Sequence, residues 1–530
     1  MDNELFRLSQ ADLNDIETVQ KWIDLGADVN EWRSCLPAIT PLMNAVQRNS
    51  SAEVVELLVS RGADLDARDS NGRTPLMHAA SYAQNADAIA RLIHLGADLD
   101  AEDNHGMTPL MCAASYNKNV DVVERFLKLV ADSLPYYGER YDDWHASNNN
   151  PYRCYDNPYN WSGDRSPEME RRGVDDGDEG WRQLVSLAWH LEKRDKFGKT
   201  LLMYAAENNQ NPDIIELLIN YGADPNAYTG IYHLRECDYS YLDGNYLTPL
   251  IYAVKSNPNP DVVEMLVKLG ARVDDHTDED GMTPLMYAVK SNPNTDIIQR
   301  LVELGADLNA RTIAPCEDIC PPDAVTALHF APLEAAKMLI KLGADLDSRD
   351  FYGRTPLMYM MKVGDRERAE LLLEAGADVN AQDDCGATCL MQVAEAEYPK
   401  RNSELCLELN IELAMLLLDA GADVNAQDAL MYAADADIAQ LFLDAGADVN
   451  ARDAIGRTPL MYAADPWVVR LLIKHGADLN MCDQYGLTAV GCALERSSNF
   501  DVIEELVNSG DDLSPEVADV IKKIKSKRRV

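Results

Sequence analysis

Few residues in this 530-residue chain have the types and spacing that chemistry needs. Asp142, Asp143, His145 and Cys154 fall within thirteen positions of a polar stretch and make the one local mixture that resembles an active site. Carboxylates beside a histidine suit general acid–base work, and a nearby thiol would supply a nucleophile. Cys316 and Cys320, like Cys385 and Cys389, are spaced as a pair of metal ligands. Neither pair has the second Cys or His pair that a tetrahedral site requires. Gly-x-Ser-x-Gly, His-Glu-x-x-His and P-loop motifs are absent. The chain therefore reads as a non-enzyme with no assigned catalytic residue, metal ligand or cofactor. An enzyme or metal site within residues 132–190 and a purely structural spacer without a specific ligand are the alternatives.

The same segment is rich in aromatic residues. Tyr136, Tyr137, Tyr141, Trp144, Tyr152, Tyr155, Tyr159 and Trp161 crowd its first half, and Trp181 and Trp189 close it. Four of the seven tryptophans lie here, so composition shifts sharply from the rest of the chain. Residues 228–246 add Tyr232, Tyr239 and Tyr241, while residues 312–325 carry Cys316 and Cys320 between prolines. Tyr and Trp bury large area with few rotors and keep one polar atom. Two readings stand side by side: a patch that binds a partner, or a mini-core that covers the neighbouring chain. Asp175-Asp-Gly-Asp-Glu-Gly reads as an exposed loop, and Trp181 to Trp189 as a short amphipathic helix.

The elements that position these segments are repeats. Thr-Pro-Leu recurs at Thr40, Thr74, Thr108, Thr248, Thr283, Thr355 and Thr458, with degenerate copies at Thr200, Thr326, Thr388, Thr488 and Asp428. Gly-Ala-Asp follows most of them, from Gly26 and Gly62 to Gly476, with variants at Val130, Gly270 and Gly510. The undisturbed step is 34 residues, and counting the half-anchored first unit there are thirteen units. Thr caps a helix and Pro suits its first position, so Thr74-Pro75 starts a short inner helix. A second helix follows, as in Ala52-Glu-Val-Val-Glu-Leu-Leu-Val-Ser, with apolar residues at i, i+3 and i+4. Gly62 ends it in a left-handed conformation, and an Asp-x-x-Gly-x-Thr turn leads to the next unit. No unit buries its apolar faces alone, so the units must stack.

Thr-Pro-Leu, Ala-Ala, Gly-Ala-Asp and the period together resemble the ankyrin repeat over nearly the whole chain outside its insertions. The resemblance implies an all-α solenoid of about thirteen helix-turn-helix units, with projecting β-turn fingers, a concave groove and a protein-binding scaffold function. Finger residues Lys196, Phe197, Phe351, Tyr352, Ile455 and Tyr485 would line the groove, with Tyr82, Tyr116 and Asn208 after the inner helices. The family's usual histidine after Thr-Pro-Leu occurs here only at His329; Met43, Met77, Met111, Met203, Met286, Met358, Met391, Met431 and Met461 hold the slot elsewhere. They read as a packing stripe, with the family's polar network lost.

The organisation expected is an N-terminal cap and first repeats over 1–131, the aromatic insertion at 132–190 and further repeats over 191–513. Smaller insertions fall at 228–246, 312–325 and 395–410, and a capping helix with a basic tail occupies 514–530. The first three interrupt the finger connection; the fourth separates the two helices of its unit. Units at Thr326, Asp428 and Thr458 are shortened, and a change of curvature is expected near 421–460.

The charge is −41, from 48 Lys+Arg against 89 Asp+Glu. Nucleic acid and anionic membranes are poor partners for such a field. Gly-Ala-Asp turns and finger openings explain 18 of the carboxylates, Asp428 included. The rest have no such role, so a partner protein with a basic surface is expected, bound by a monomer. No signal peptide or membrane span is apparent, and scattered cysteines such as Cys112, Cys389 and Cys492 fit reduced thiols in a cytoplasmic setting.

Overall fold

The structure, a computed structural model, describes residues 15–32, 39–48, 51–133, 187, 190–229, 246–276, 281–292, 294–312, 324–395, 404–496 and 500–509. Among them only helices and turns occur. Two compact units share the chain: residues 1–307 with 313–315, and residues 308–312 with 316–530.

Each inner helix starts as its sequence dictates. The hydroxyls of Thr40, Thr108 and Thr283 accept from the amides of Met43, Met111 and Met286 at 3.3–3.4 Å, with Pro at the first helical position. Outer helices are capped by Asn or Asp: Asn211, Asn259, Asp365, Asp435 and Asp465 each accept an amide of the first turn. Most end at a left-handed glycine, such as Gly62 at φ +92° and Gly376 at φ +100°. Val130 stands where that glycine belongs, and a β-branched residue resists the left-handed region. Helix Val120–Ser133 accordingly runs on through Val130-Ala-Asp instead of turning there as its neighbours do.

The first unit contains inner helices Pro41–Gln47, Pro75–Tyr82, Pro109–Tyr116, Leu201–Asn208, Pro249–Ser256 and Pro284–Ser291, each followed by an outer helix. A further outer helix, Ile16–Asp24, precedes them. The inner helices are buried nearly all round (Leu76, Met77, Ala79 and Ala80 in one), while outer helices bury one stripe, such as Val54, Val55 and Leu58. At roughly 1.5–3 kcal/mol for each buried Leu or Met, this stripe-on-stripe contact is the main cohesive term. Buried asparagines lock the stack. Asn117 donates to the carbonyls of Ala80 and Ala83, Asn209 to Ala114 and Asn117, Asn257 to Ala206 and Asn209, and Asn292 to Val254 and Asn257. Asn209 reaches its partners at 2.8 Å across more than ninety residues of sequence. The repeat after the large insertion therefore sits directly on the repeat before it.

The second unit is less regular. Inner helices Ala327–Phe330 and Pro459–Tyr462 have four residues each, as the shortened sequences require. Residues Ala426–Tyr432 wind as a 3-10 helix. Asp428 lies inside it at φ +57° and opens no finger, as expected from the seven-residue step after Gly421, although the sequence groups its carboxylate with the finger set. Outer helix Glu404–Asp419 begins within the 395–410 insertion, so the later part of that insertion is a helical extension. Of the free cysteines, Cys112, Cys389 and Cys492 are buried in helices; burial raises the first two thiols to about 12, which keeps them protonated and unreactive.

Candidate interaction surface

The projecting fingers are built from one aspartate each. Asp69 Oδ1 accepts the amides of Asn71 and Arg73, both at 2.8 Å, and the Asp69 amide donates to the Arg73 carbonyl at 3.0 Å. Asp103, Asp195, Asp350, Asp383, Asp453 and Asp483 repeat this pattern. At Gly353 the backbone is left-handed, and a Cβ there would stand 2.8 Å from the Asp384 amide of the next finger. Only glycine permits that approach.

The second carboxylate oxygen faces the inner helix, four residues after its capping threonine. There Tyr204, Tyr359 and Tyr462 donate to Asp195, Asp350 and Asp453 at 2.6, 2.9 and 2.8 Å, and His78 Nε2 lies 3.0 Å from Asp69. These contacts answer what replaces the family's histidine network: the polar partner has moved one position along the helix. The methionines are buried as expected of a packing stripe. Several do more, since the Sδ atoms of Met77, Met203, Met358 and Met391 accept the Thr74, Thr200, Thr355 and Thr388 amides at 3.4–3.5 Å. His329 does the same through Nδ1 at 3.1 Å. Burial holds His329 and His78 below the usual imidazole range. Burial is also the largest influence on Asp350 and would raise it, but bonds from the Arg354 amide, Tyr359 and the Arg354 side chain outweigh it and leave the carboxyl low.

Fingers are tied to one another as well. Arg349 donates to Gly353 and Gln382 carbonyls, Arg452 to Gly456 and Cys482, and Arg68 to Gly72 and Glu102. The Asn104, Asp384 and Gln484 amides donate to the Asn71, Tyr352 and Ile455 carbonyls, all at 2.9 Å. A similar staircase runs through the Gly-Ala-Asp turns, where Asn30, Asn226, Asn380, Asn425 and Asn450 each accept an amide of the next repeat. Asp274 and Asp347 take that place in two repeats. With the capping aspartates, they give structural roles to carboxylates beyond the turn and finger set, so the acidity is less of a partner signal than its sum implied.

On this frame the tips of the Asp195, Asp350 and Asp483 fingers are aromatic and open. Phe197, Phe351, Tyr352 and Tyr485 are 57, 53, 46 and 68% exposed. Phe351 and Tyr352 form an edge pair at 5.4 Å, and Lys196 reaches over the Phe197 ring while donating to the Asn104 carbonyl. Ile455 is half-buried. Tyr82 and Tyr116 are exposed after their inner helices, Tyr116 beneath the Arg73 guanidinium, and Asn208 is exposed too. Tyr136, Tyr137, Tyr141, Trp144, Tyr152, Tyr155, Tyr159, Trp161, Tyr232, Tyr239 and Tyr241 lie outside the described residues, as do Asp142, Asp143, His145 and Cys154. The capping helix at 514–530 and most of the Trp181 to Trp189 segment do so too. Leu187 and Leu191 close to its end are helical and buried.

The insertions at 228–246 and 312–325 leave the frame through one kind of neck. The Thr229 amide donates to the Leu247 carbonyl at 3.0 Å, and the Leu247 amide to Thr229 Oγ1 at 2.9 Å. Thr312 and Val325 do the same at 3.0 and 3.1 Å. Thr has replaced the finger aspartate, and the insertion has replaced the finger tip. Sequence reading missed both the Asp-to-Tyr contact and this substitution. The nine-residue spacing from finger Asp to inner-helix Tyr or His was the available signal.

A family model described as ankyrin repeats (3 copies) matches residues 8–103, 42–137, 230–312, 315–383, 362–453, 390–481 and 430–516. A model of the single ankyrin repeat matches residues 197–230. No curated protein matches the sequence. Among the described residues no helix is long and apolar enough to cross a membrane, and no group of three or more His, Cys, Asp or Glu is placed to hold a metal ion.

Proposed function

The chain belongs to the ankyrin-repeat family, and on that premise we propose that it is a scaffold that holds a partner protein against its fingers and inner-helix ends. The observation that carries this reading is the contrast within the Asp195, Asp350 and Asp483 fingers. Backbone and aspartate are fully tied down, while the aromatic tip, Phe351-Tyr352 above all, is left open to solvent. A rigid aromatic loses little entropy on binding, which is what an interface anchor requires. The aromatic insertions at 132–190 and 228–246 would extend the same surface. No enzymatic role is assigned to it.

Affinity capture tests the proposal with three proteins: the intact chain, a variant lacking 133–189, and Phe351→Ala with Tyr352→Ala. The double variant should lose a captured partner by about tenfold or more in affinity while keeping its helical circular dichroism. A partner lost only with 133–189 would move the site to the insertion. Retention by both variants would count against fingers and insertion alike.

A further inference from the structure

Consecutive inner helices Pro249–Ser256 and Pro284–Ser291 have nearly the same sequence, and each ends in a Lys-Ser pair, Lys255-Ser256 and Lys290-Ser291. Ser256, Lys290 and Ser291 are exposed and Lys255 is half-buried. Lys255 Nζ lies 5.3 Å from the ring centre of buried Tyr287, one repeat on. Lys199 makes the same step onto Tyr252 at 4.2 Å, but Glu207 already engages it at 2.8 Å. Among the described residues no carboxylate pairs with Lys255 or Lys290. The outer helices of these repeats carry Asp261, Glu264, Asp296 and Glu303. Lys268 and Arg300 on the same outer helices engage Glu264, Asp261 and Glu303, whereas at the inner-helix ends Lys255 meets the Tyr287 ring and Lys290 meets Met282 Sδ at 3.9 Å.

We infer that the Lys255-Ser256 and Lys290-Ser291 steps receive an extended acidic segment of the partner, an inference that rests on the scaffold reading and names the chemistry of one part of that surface. Packed helices stand about 8–10 Å apart and an extended chain rises about 3.3 Å per residue. Carboxylates about three residues apart therefore match the step between the two lysines. The Tyr287 ring beside Lys255 holds its ammonium group at the inner-helix end. The chain's general negative field is screened beyond about 8 Å at physiological salt, which leaves the local lysines to decide. The basic partner surface expected from net charge does not apply to this stretch.

The probe is a fluorescein-labelled Gly-Ser peptide with Glu at every third position, beside counterparts carrying Gln or Lys, titrated into the full chain by fluorescence anisotropy. The Glu peptide should bind in preference to both counterparts. Lys255→Glu with Lys290→Glu should weaken it about tenfold or more, and the Gln pair of substitutions should fall between, with circular dichroism unchanged. Preference for the Lys peptide, no binding of the Glu peptide, or unchanged affinity in the reversed variant each overturns the inference. A partner still captured through Phe351 and Tyr352 in that variant would leave the scaffold reading standing while this one fails.

Discussion

Tyr204→Phe removes a single oxygen and keeps the ring. The lost bond runs from a buried hydroxyl to Asp195 at 2.6 Å, and burial together with Asp195 holds the phenol well above its usual range. A hydrogen bond to a charged group is worth about 1.5–3 kcal/mol. Here the loss also strands a carboxylate oxygen of a residue only 7% exposed, which places the cost in the upper half of that range. Global unfolding is a poor readout, because repeat arrays need not melt as one. The finger itself reports: Phe197 and Lys199 amides donate to Asp195 Oδ1, so hydrogen exchange of a peptide spanning them measures local opening. Exchange should speed by about 40- to 150-fold. The Asp103 finger is the internal control. Cys112 occupies the tyrosine position there and Asp103 Oδ2 accepts no hydrogen bond, pairing instead with the Arg73 guanidinium at 3.5 Å, so its exchange should be unaffected by the substitution. A change under about threefold in a folded Tyr204→Phe protein would refute the claim that the hydroxyl holds the finger.

Asn257→Ala removes two donors to carbonyls and an acceptor for the Asn259 amide, all in a fully buried setting. It should destabilise by about 3 kcal/mol and split the urea transition in two, read by circular dichroism. Glu192 takes the place of the asparagines in the Gly-Ala-Asp staircase, accepting the Asp224 amide at 3.0 Å, and burial raises it to about 7. A carboxyl raised in the folded state is a liability that grows as pH climbs from about 4.3 toward 7, by at most about 1.4 kcal/mol per unit. Glu192→Gln should therefore stabilise the protein at pH 8 and change little near pH 4, measured as melting temperature. Met358→Leu keeps volume and loses only a weak Sδ acceptor, so its denaturation midpoint should shift by the equivalent of less than about 1.5 kcal/mol.

Local signals made the fold readable before any coordinates. Thr-Pro and Gly-Ala-Asp mark where helices begin and end, because capping and left-handed turns depend on neighbours in sequence. Val130 follows the same logic in reverse, and the extended helix is what the missing glycine dictates. The finger tips Phe197, Phe351, Tyr352 and Tyr485 were equally legible, since residues just before the finger Gly sit at the apex of a turn, although Ile455 at the same place is half-buried. Contacts between elements were not legible. Tyr359 meets Asp350 because two helical turns and a finger fold back on each other, and neither residue announces the other by type. Asn209 was hidden for a stronger reason: an insertion of variable length separates it from the repeat it joins.

The Thr229 and Thr312 necks make those fingers graft points. Three hydrogen-bonded residues separate Asp69 from Arg73, whereas residues 230–246 separate Thr229 from Leu247, yet the closing bonds are alike. Doubling a loop costs only about 0.6 kcal/mol of closure entropy. An aspartate bound to both its own turn and the helix beneath suits a short hairpin; a threonine keeps the clasp, and at Thr229 its side chain also meets Tyr252 of the helix beneath. Passenger segments can then lengthen, shorten or change their chemistry without altering the register of the repeats below. Such a frame can acquire new specificities by accretion, one finger at a time, while the parts that hold it up stay fixed.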